Sequence, residues 1–283
     1  MEHYGQFINV DNGKICVQID GGNDRVVVLL HGGGIITSPV LELKPLVVLL
    51  KDDFTVVTIE CFGYGLSDKV DKERTVENIS SEIHEVLHRL GFSKYFIIAH
   101  SISGVYSLYY INKYPDEVEG FIGLDTSVPR QNEFFNTVTI NSLFLRFLRF
   151  ANSLGIIRLI TKLSPKSLIS DVHGYEYSTG ELELLRELLC MNISNKTVMN
   201  EIKNSADNFR KTIGMKFPKS MPVLFILANQ TCKQIKQWYD LHLELIEGSE
   251  NSSIITLDGS HVIYRQHSKD IVETFKSFVM SIG

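Results

Sequence analysis

Short, continuous apolar runs alternate with helical periodicity over residues 1–129. Runs of this length without polar alternation predict strands that are buried on both faces, as in a parallel sheet covered by helices. The apolar runs are Val26–Leu30, Phe54–Ile59, Tyr95–Ala99 and Glu119–Leu124. Between the second and third runs, apolar residues recur at helical spacing from Ile79 to Leu90. Thr75 is the predicted N-cap of this helix and Gly91 the predicted stop.

The pattern changes at residues 130–219, which are helical in period, rich in Phe, Leu and Ile, and without a convincing strand signal. After this stretch the alternation of strands and helices resumes. Predicted strands at Pro222–Ala228 and Ser253–Leu257 alternate with predicted helices near Lys233–Ile246 and at Lys269–Met280. A sheet is therefore interrupted by a helical segment and then completed.

This order of elements predicts the α/β fold class, with a mostly parallel central sheet and helices on both faces. Gln6–Val10 and Lys14–Ile19 flank Asp11-Asn12-Gly13, a hairpin-turn signal, and supply the first two strands. The core comprises residues 1–129 and 220–283. A helical cap at residues 130–219 is inserted after strand 6.

Composition narrows the classes of function. A net charge of −5 gives no electrostatic footprint for nucleic acid, so no nucleic-acid partner is expected. The four cysteines are scattered without a CxxC pair, which is typical of a reducing compartment. No apolar run is long enough to span a membrane, and Met1–Gly5 does not open a signal peptide. We expect a cytoplasmic protein without a metal or other cofactor.

Ser101 is the predicted nucleophile. It follows the apolar run Tyr95–Ala99 and precedes a predicted helix, and a serine on such a sharp turn exposes its hydroxyl at the carboxyl edge of the sheet. The usual pattern is Gly-x-Ser-x-Gly, and here Ala99 and Ser103 take the glycine places. Ser103 as the nucleophile would place the bulky Val105 at a flanking position that must be small. A serine that only caps the following helix is the alternative.

A glycine loop follows the first buried run as His31-Gly32-Gly33-Gly34. Backbone amides in such a loop can approach and stabilise the oxyanion that develops during acyl transfer. We assign one donor to Gly33, with Gly34 as a further candidate, and the other to Ile102 after the nucleophile. The alternative is a plain glycine-rich turn.

His261 is the predicted general base. It directly follows the last predicted strand in Asp258-Gly259-Ser260-His261, where its ring can reach over the sheet edge to Ser101. Other histidines lie on predicted helices or lack a strand-end context. His100 is expected to pack beside the turn, and His31 to anchor the glycine loop.

In these motifs the chain resembles the α/β-hydrolase superfamily. The glycine loop, the Ser101 turn and His261 occur in the order that the family shows. In addition, Phe62–Asp68 resembles its D-x-x-G-x-G-x-S loop, with Glu60 where Asp is usual. The resemblance covers nearly the whole chain and implies the fold and a serine hydrolase, without specifying a substrate.

The resemblance also implies an acid that orients the histidine. In most members an aspartate follows the strand after the cap, but here that turn reads Asn229-Gln230-Thr231. Some members, including haloalkane dehalogenases, place the acid after the strand before the cap, where this chain has Asp125. We therefore expect Asp125 to be the acid, with Asp258 and Glu60 as weaker candidates. The alternative is an ordinary aspartate at a strand end.

The nucleophile and the insertion define the expected activity. Dehalogenases and epoxide hydrolases of this fold use an aspartate nucleophile, so Ser101 favours hydrolysis of a small to medium carboxylic ester, a small-molecule substrate. A Phe-rich stripe in the insertion makes Phe144 and Phe147 the candidate residues that line the substrate site. The pattern favours the alternative, which is packing of the cap onto the sheet. Membrane contact is not expected. An amidase or peptidase, and a ligand-binding protein with little activity, are the alternatives.

Overall fold

The structure is a computed structural model that describes residues 4–11, 13–34, 38–134, 142–164, 168–169, 172–249 and 251–282. Its centre is an eight-stranded sheet with the spatial order β1-β2-β4-β3-β5-β6-β7-β8. In chain order the strands are β1 (Gln6–Val10), β2 (Gly13–Asp20), β3 (Val26–Leu30), β4 (Thr55–Glu60), β5 (Tyr95–His100), β6 (Val118–Leu124), β7 (Val223–Ala228) and β8 (Ser252–Leu257).

Six strands are parallel, and the hairpin β1–β2 joins β4 in antiparallel pairing. In β3 and β4 every residue is buried, as expected for strands covered on both faces. In β3, Val28 faces one core layer while Val27 and Leu29 face the other. The carboxyl ends of β3, β5, β6, β7 and β8 therefore meet at one edge of the sheet.

Helices cover both faces of the sheet. Those of the core are α1 (Pro39–Glu42), α2 (Lys44–Leu50), α3 (Val76–Arg89), α4 (Ser103–Lys113), α9 (Asn229–Gln234), α10 (Trp238–Leu245), α11 (Ile263–Gln266) and α12 (Ser268–Ser281). One core layer contains apolar residues of α3, α4 and α10, and the other contains those of α2, α11 and α12. The α/β class and the mostly parallel sheet predicted from the sequence are confirmed.

The helix predicted near Lys233–Ile246 is divided in two. Helix α9 ends at Gln234, the backbone of Ile235 is extended, and α10 begins at Trp238. The periodicity did not reveal the break because the apolar residues Ile235, Trp238 and Leu241 still keep helical spacing across it. The break turns Trp238 toward the end of β6, where its indole makes a polar contact.

In the described residues between β6 and β7 the regular secondary structure is helical, with turns and irregular backbone between the helices. It contains α5 (Ser142–Ser153), α6 (Ile156–Leu163), α7 (Thr179–Asn192) and α8 (Lys196–Thr212). We call residues 130–219 the insertion. Its status as a separate cap domain stays a prediction. Within the described ranges, no helix combines the length and apolar character that crossing a bilayer requires.

Candidate active site

Ser101 lies on the tight turn between β5 and α4, with a φ of 55°. A positive φ is costly for a residue with a Cβ, so the surrounding structure has to hold it. The Ser101 carbonyl oxygen accepts from the Gly104 amide at 2.9 Å and from the Ser127 amide at 2.8 Å. A Cβ at Gly104 would lie 2.4 Å from Thr126 Cβ, so only glycine fits at this position. The turn presents the Ser101 hydroxyl at the sheet edge.

The two departures from the usual glycines fit this turn. Ala99 is fully buried at the end of β5. Ser103 is buried too, and its hydroxyl donates to the His31 carbonyl oxygen. The extra hydroxyl therefore fastens the glycine loop to the serine turn. This hydrogen bond also occupies the hydroxyl of Ser103, the residue that would be the nucleophile in the alternative register.

The strain at Ser101 gives a testable prediction. Ser101→Gly and Ser101→Ala both remove the hydroxyl, but only glycine adopts a positive φ without a steric penalty. We expect the glycine variant to exceed the alanine variant in free energy of unfolding by about 1 kcal/mol. Urea denaturation followed by circular dichroism measures the difference. Equal stability of the two variants would show that the turn is not strained.

His261 follows β8, and its ring lies between a serine and a carboxylate. Its Nε2 is 2.9 Å from Ser101 Oγ, and its Nδ1 is 2.7 Å from Asp125 Oδ2. With the proton on Nδ1, the ring donates to Asp125 and accepts the Ser101 hydroxyl proton. The His261 side chain is 46% exposed, so solvent reaches the group.

Asp125 occupies the first position after β6, with a φ of 44° and no exposed surface. Besides the His261 contact, its carboxylate accepts from the Ala228 amide at 3.1 Å, the Thr231 hydroxyl at 2.6 Å and the Trp238 indole at 2.8 Å. Burial opposes ionisation, but hydrogen bonding and the charge of His261 outweigh it and hold the pKa of Asp125 below its usual range. The site therefore contains a carboxylate that stays ionised at neutral pH.

Thr231 and Trp238 contact the candidate site, although the sequence did not single them out. Thr231 lies in α9, directly after β7, where no carboxylate is present, and its hydroxyl donates to the carboxylate that follows β6 instead. Trp238 is the single tryptophan of the chain. A buried tryptophan needs a partner for its N–H, which was the available signal. The two weaker acid candidates are engaged elsewhere: Asp258 accepts from Asn229, and Glu60 from Tyr4 and Leu66.

The histidine next to the serine packs against the site. His100 is buried, and its Nε2 lies 3.0 Å from the His261 carbonyl oxygen, so it donates there. Burial, followed by the charge of His261, lowers the pKa of His100 to about 3. An uncharged ring at this place does not oppose the formation of an imidazolium on His261. His31 is also buried and accepts from the Cys61 amide at 3.3 Å, which anchors the glycine loop.

The predicted oxyanion donors lie together beside Ser101. A Cβ at Gly33 would be 3.0 Å from Ile102 Cγ2, so the glycine loop and the residue after the serine are in contact. The Gly34 amide donates to the Tyr64 hydroxyl at 3.1 Å and is therefore already engaged. In the part of the chain that the structure describes, neither the Gly33 amide nor the Ile102 amide has an acceptor.

Helix α8 of the insertion reaches this loop through Glu201. The buried carboxylate accepts from Tyr64 Oη at 3.0 Å and from Tyr106 Oη at 2.9 Å. Its Oε1 would lie 3.4 Å from a Cβ at Gly33. Burial raises the pKa of Glu201, although the charge of Arg74 and the two tyrosine hydroxyls favour ionisation. A hydrogen-bonded chain thus joins the insertion, through Tyr64, to Gly34.

Both predicted substrate-binding residues lie in α5. The Phe144 side chain is outside the described residues. The Phe147 ring is 62% exposed, which is more typical of an outer surface than of a closed pocket. Their role in substrate binding stays a prediction.

Comparison with known proteins agrees with this architecture. A family model described as alpha/beta hydrolase fold matches residues 25–163. The uncharacterized protein YbdG of Bacillus subtilis is 24% identical over 285 residues, which cover 98% of this chain and 86% of that protein. The 2-(acetamidomethylene)succinate hydrolase of Mesorhizobium japonicum is 28% identical over 117 residues, 41% of each protein. That second match therefore covers less than half of either protein.

Among solved structures, epoxide hydrolase VrEH1 from Vigna radiata superposes with a TM-score of 0.75 at 19% identity, over 99% of both chains. At this identity the likeness concerns the fold alone. Together with the matching family model, it shows that the chain has the α/β-hydrolase fold. Since hydrolases of different chemistry share this fold, the reaction has to be argued from the site.

Proposed function

We propose that the protein is a serine hydrolase in which Ser101 is the nucleophile, His261 the general base and Asp125 the acid that orients the base. The observation that carries this proposal is the continuous contact from Ser101 Oγ through the His261 ring to Asp125 Oδ2, at 2.9 and 2.7 Å. These distances suit proton transfer from a hydroxyl to an imidazole. The buried, ionised Asp125 stabilises the imidazolium that forms.

The reaction proceeds in two halves. Ser101 Oγ attacks the substrate carbonyl carbon while His261 Nε2 takes the hydroxyl proton, giving a tetrahedral oxyanion. As the oxyanion collapses, the bond to the leaving alcohol breaks, and the imidazolium returns its proton to that alcohol. Water, deprotonated by His261, then attacks the carbonyl carbon of the acyl-serine. As this second oxyanion collapses, the bond to Ser101 Oγ breaks, the imidazolium returns its proton to Ser101 Oγ, and the acid is released. The partial exposure of His261 provides a route for this water.

The amides of Gly33 and Ile102 form the proposed oxyanion hole. Both lie next to Ser101, and the described residues contain no competing acceptor for either amide. Each such donor contributes about 3 kcal/mol to stabilising the transition state in related chemistry. Gly34 contributes differently, because its amide holds Tyr64 and so fixes the shape of the loop.

A carboxylic ester is the substrate class that this chemistry favours. In members of the fold that open epoxides or remove halides, the nucleophile at this turn is an aspartate, whereas this chain presents a serine. Acyl transfer to water also proceeds without a cofactor. The insertion, which is hydrogen-bonded to the glycine loop through Glu201, is the proposed cap over the acyl group. An amidase or peptidase would use the same groups.

Covalent labelling and ester hydrolysis test the proposal together. A fluorophosphonate should add once per chain, at Ser101, and peptide mass spectrometry should locate it there. The Ser101→Ala protein should remain unlabelled. A panel of p-nitrophenyl esters of graded acyl length then defines the preference for small or medium acyl groups. A folded native protein that neither reacts nor hydrolyses any ester would be a binding protein, and the proposal would fail.

A further inference from the structure

Helix α6 of the insertion turns its apolar side outward. Ile156, Leu159, Ile160 and Leu163 have the spacing of one helix face, and they are 43% to 77% exposed. The buried residue of α6 is Thr161, a polar one. A helix at the surface of a globular protein normally has the opposite orientation. The exposed stripe therefore has no packing role within the described structure.

The neighbouring helix α5 extends this apolar area. Phe147 and Phe150 are each 62% exposed, and Leu154 follows at 60%. The two helices pack against each other. We call the exposed apolar residues of α5 and α6, with Leu154 between them, the outer face. A large exposed apolar surface of this kind marks a site that contacts another protein or a membrane.

The local charge indicates which kind of partner this surface contacts. Residues 142–163 contain four basic residues and no acidic one, whereas the whole chain has a net charge of −5. The basic residues are Arg146, Arg149, Arg158 and Lys162. Arg158 and Lys162 are exposed and lie one turn apart on α6. A helix surface that is both apolar and locally basic, on an otherwise acidic protein, is complementary to the interface of an anionic lipid bilayer.

We propose that the outer face binds the surface of an anionic lipid bilayer, with its leucine, isoleucine and phenylalanine side chains at the boundary between headgroups and acyl chains. The exposed side chains of Arg158 and Lys162 contact lipid phosphates. A second copy of the chain fits less well, because a symmetric dimer through this face would bring two basic surfaces together. The sequence pattern alone favoured packing, since periodicity does not tell which side of a helix faces inward.

Vesicle sedimentation tests the proposal. The full chain is mixed with vesicles of phosphatidylcholine alone or of equal parts phosphatidylcholine and phosphatidylglycerol. The native protein should sediment with the anionic vesicles, less with the neutral ones, and less at high salt. Leu159→Ser and Leu163→Ser should each weaken partitioning about tenfold or more. Arg158→Gln and Lys162→Gln should each weaken it about fivefold, on anionic vesicles only.

A matched control separates this face from apolar exposure in general. Leu243 on α10 is 48% exposed and lies outside the outer face, so Leu243→Ser should bind as the native protein does. Circular dichroism verifies that each variant is folded. A native protein that ignores anionic vesicles overturns the proposal. If light scattering then shows a dimer that Leu159→Ser dissociates, the outer face joins two copies instead.

Discussion

Replacing His261 by alanine is expected to lower kcat for ester hydrolysis by about 10⁶-fold, the loss that follows removal of a triad histidine. Without the imidazole, the Ser101 hydroxyl has no acceptor for its proton, because His261 Nε2 is the group 2.9 Å from Ser101 Oγ. The fold should be unaffected, since the ring is half-exposed. Steady-state hydrolysis of p-nitrophenyl acetate measures the effect.

His267 provides the matched control for this substitution. It lies six residues further on, is partly exposed, and contacts Asp270 and the Asp258 carbonyl oxygen rather than Ser101. His267→Ala should retain nearly native kcat. Added imidazole should restore part of the activity of His261→Ala, because the half-exposed site admits it. If the two variants lose activity equally, His261 has no special role as the base.

Replacing Asp125 by asparagine should leave the chain folded and lower kcat by about 10⁴-fold. The carboxylate accepts a hydrogen bond from His261 Nδ1–H, whereas an amide nitrogen placed there donates one to Nδ1. The proton then moves to Nε2 and points at Ser101, where the ring can no longer act as a base. Purified variants assayed on the same ester measure the loss.

Asp258→Asn is the control, because Asp258 is exposed and bonded to Asn229. It should keep near-native turnover, and an Asp125→Asn protein that does the same would contradict the assigned acid. Acid unfolding gives a second readout. The pKa of Asp125 is depressed in the folded state, so its contribution to stability is present above the unfolded-state pKa of about 3.9. That contribution is lost as the pH falls through the lower folded-state pKa, and the asparagine variant should lack this part of the acid dependence.

Much of the fold was predictable because most of its central strands are short runs of mainly apolar residues. The run Val26–Leu30 coincides with β3, and the runs at β4 to β8 differ from the structure by one residue at their ends. The candidate site was predictable for a related reason. Residues that directly follow parallel strands meet at one sheet edge, so Ser101, Asp125 and His261 could be expected to lie together.

The remainder depends on tertiary contacts that a linear pattern does not contain. Thr231 and Trp238 contact Asp125 from the two sides of a helix break, which interrupts no periodicity. The exposed stripe of α6 has the same spacing as a buried one, so the sequence could not show which side faces outward. Apart from the single tryptophan, neither feature has a local signature in the sequence.

The hydrogen bonds of Glu201 restrict how this scaffold can be recombined with its relatives. A chimera that grafts residues 130–219 onto another core carries the carboxylate but leaves behind Tyr64 and Tyr106, which donate to it. An unpartnered buried carboxylate costs several kcal/mol, so such a graft would fold poorly or displace the glycine loop. Grafts that transfer both tyrosines together with the helix should keep the loop in place. The insertion and the core therefore have to be transferred together. Libraries that recombine this gene with those of related proteins should place no crossover between the two.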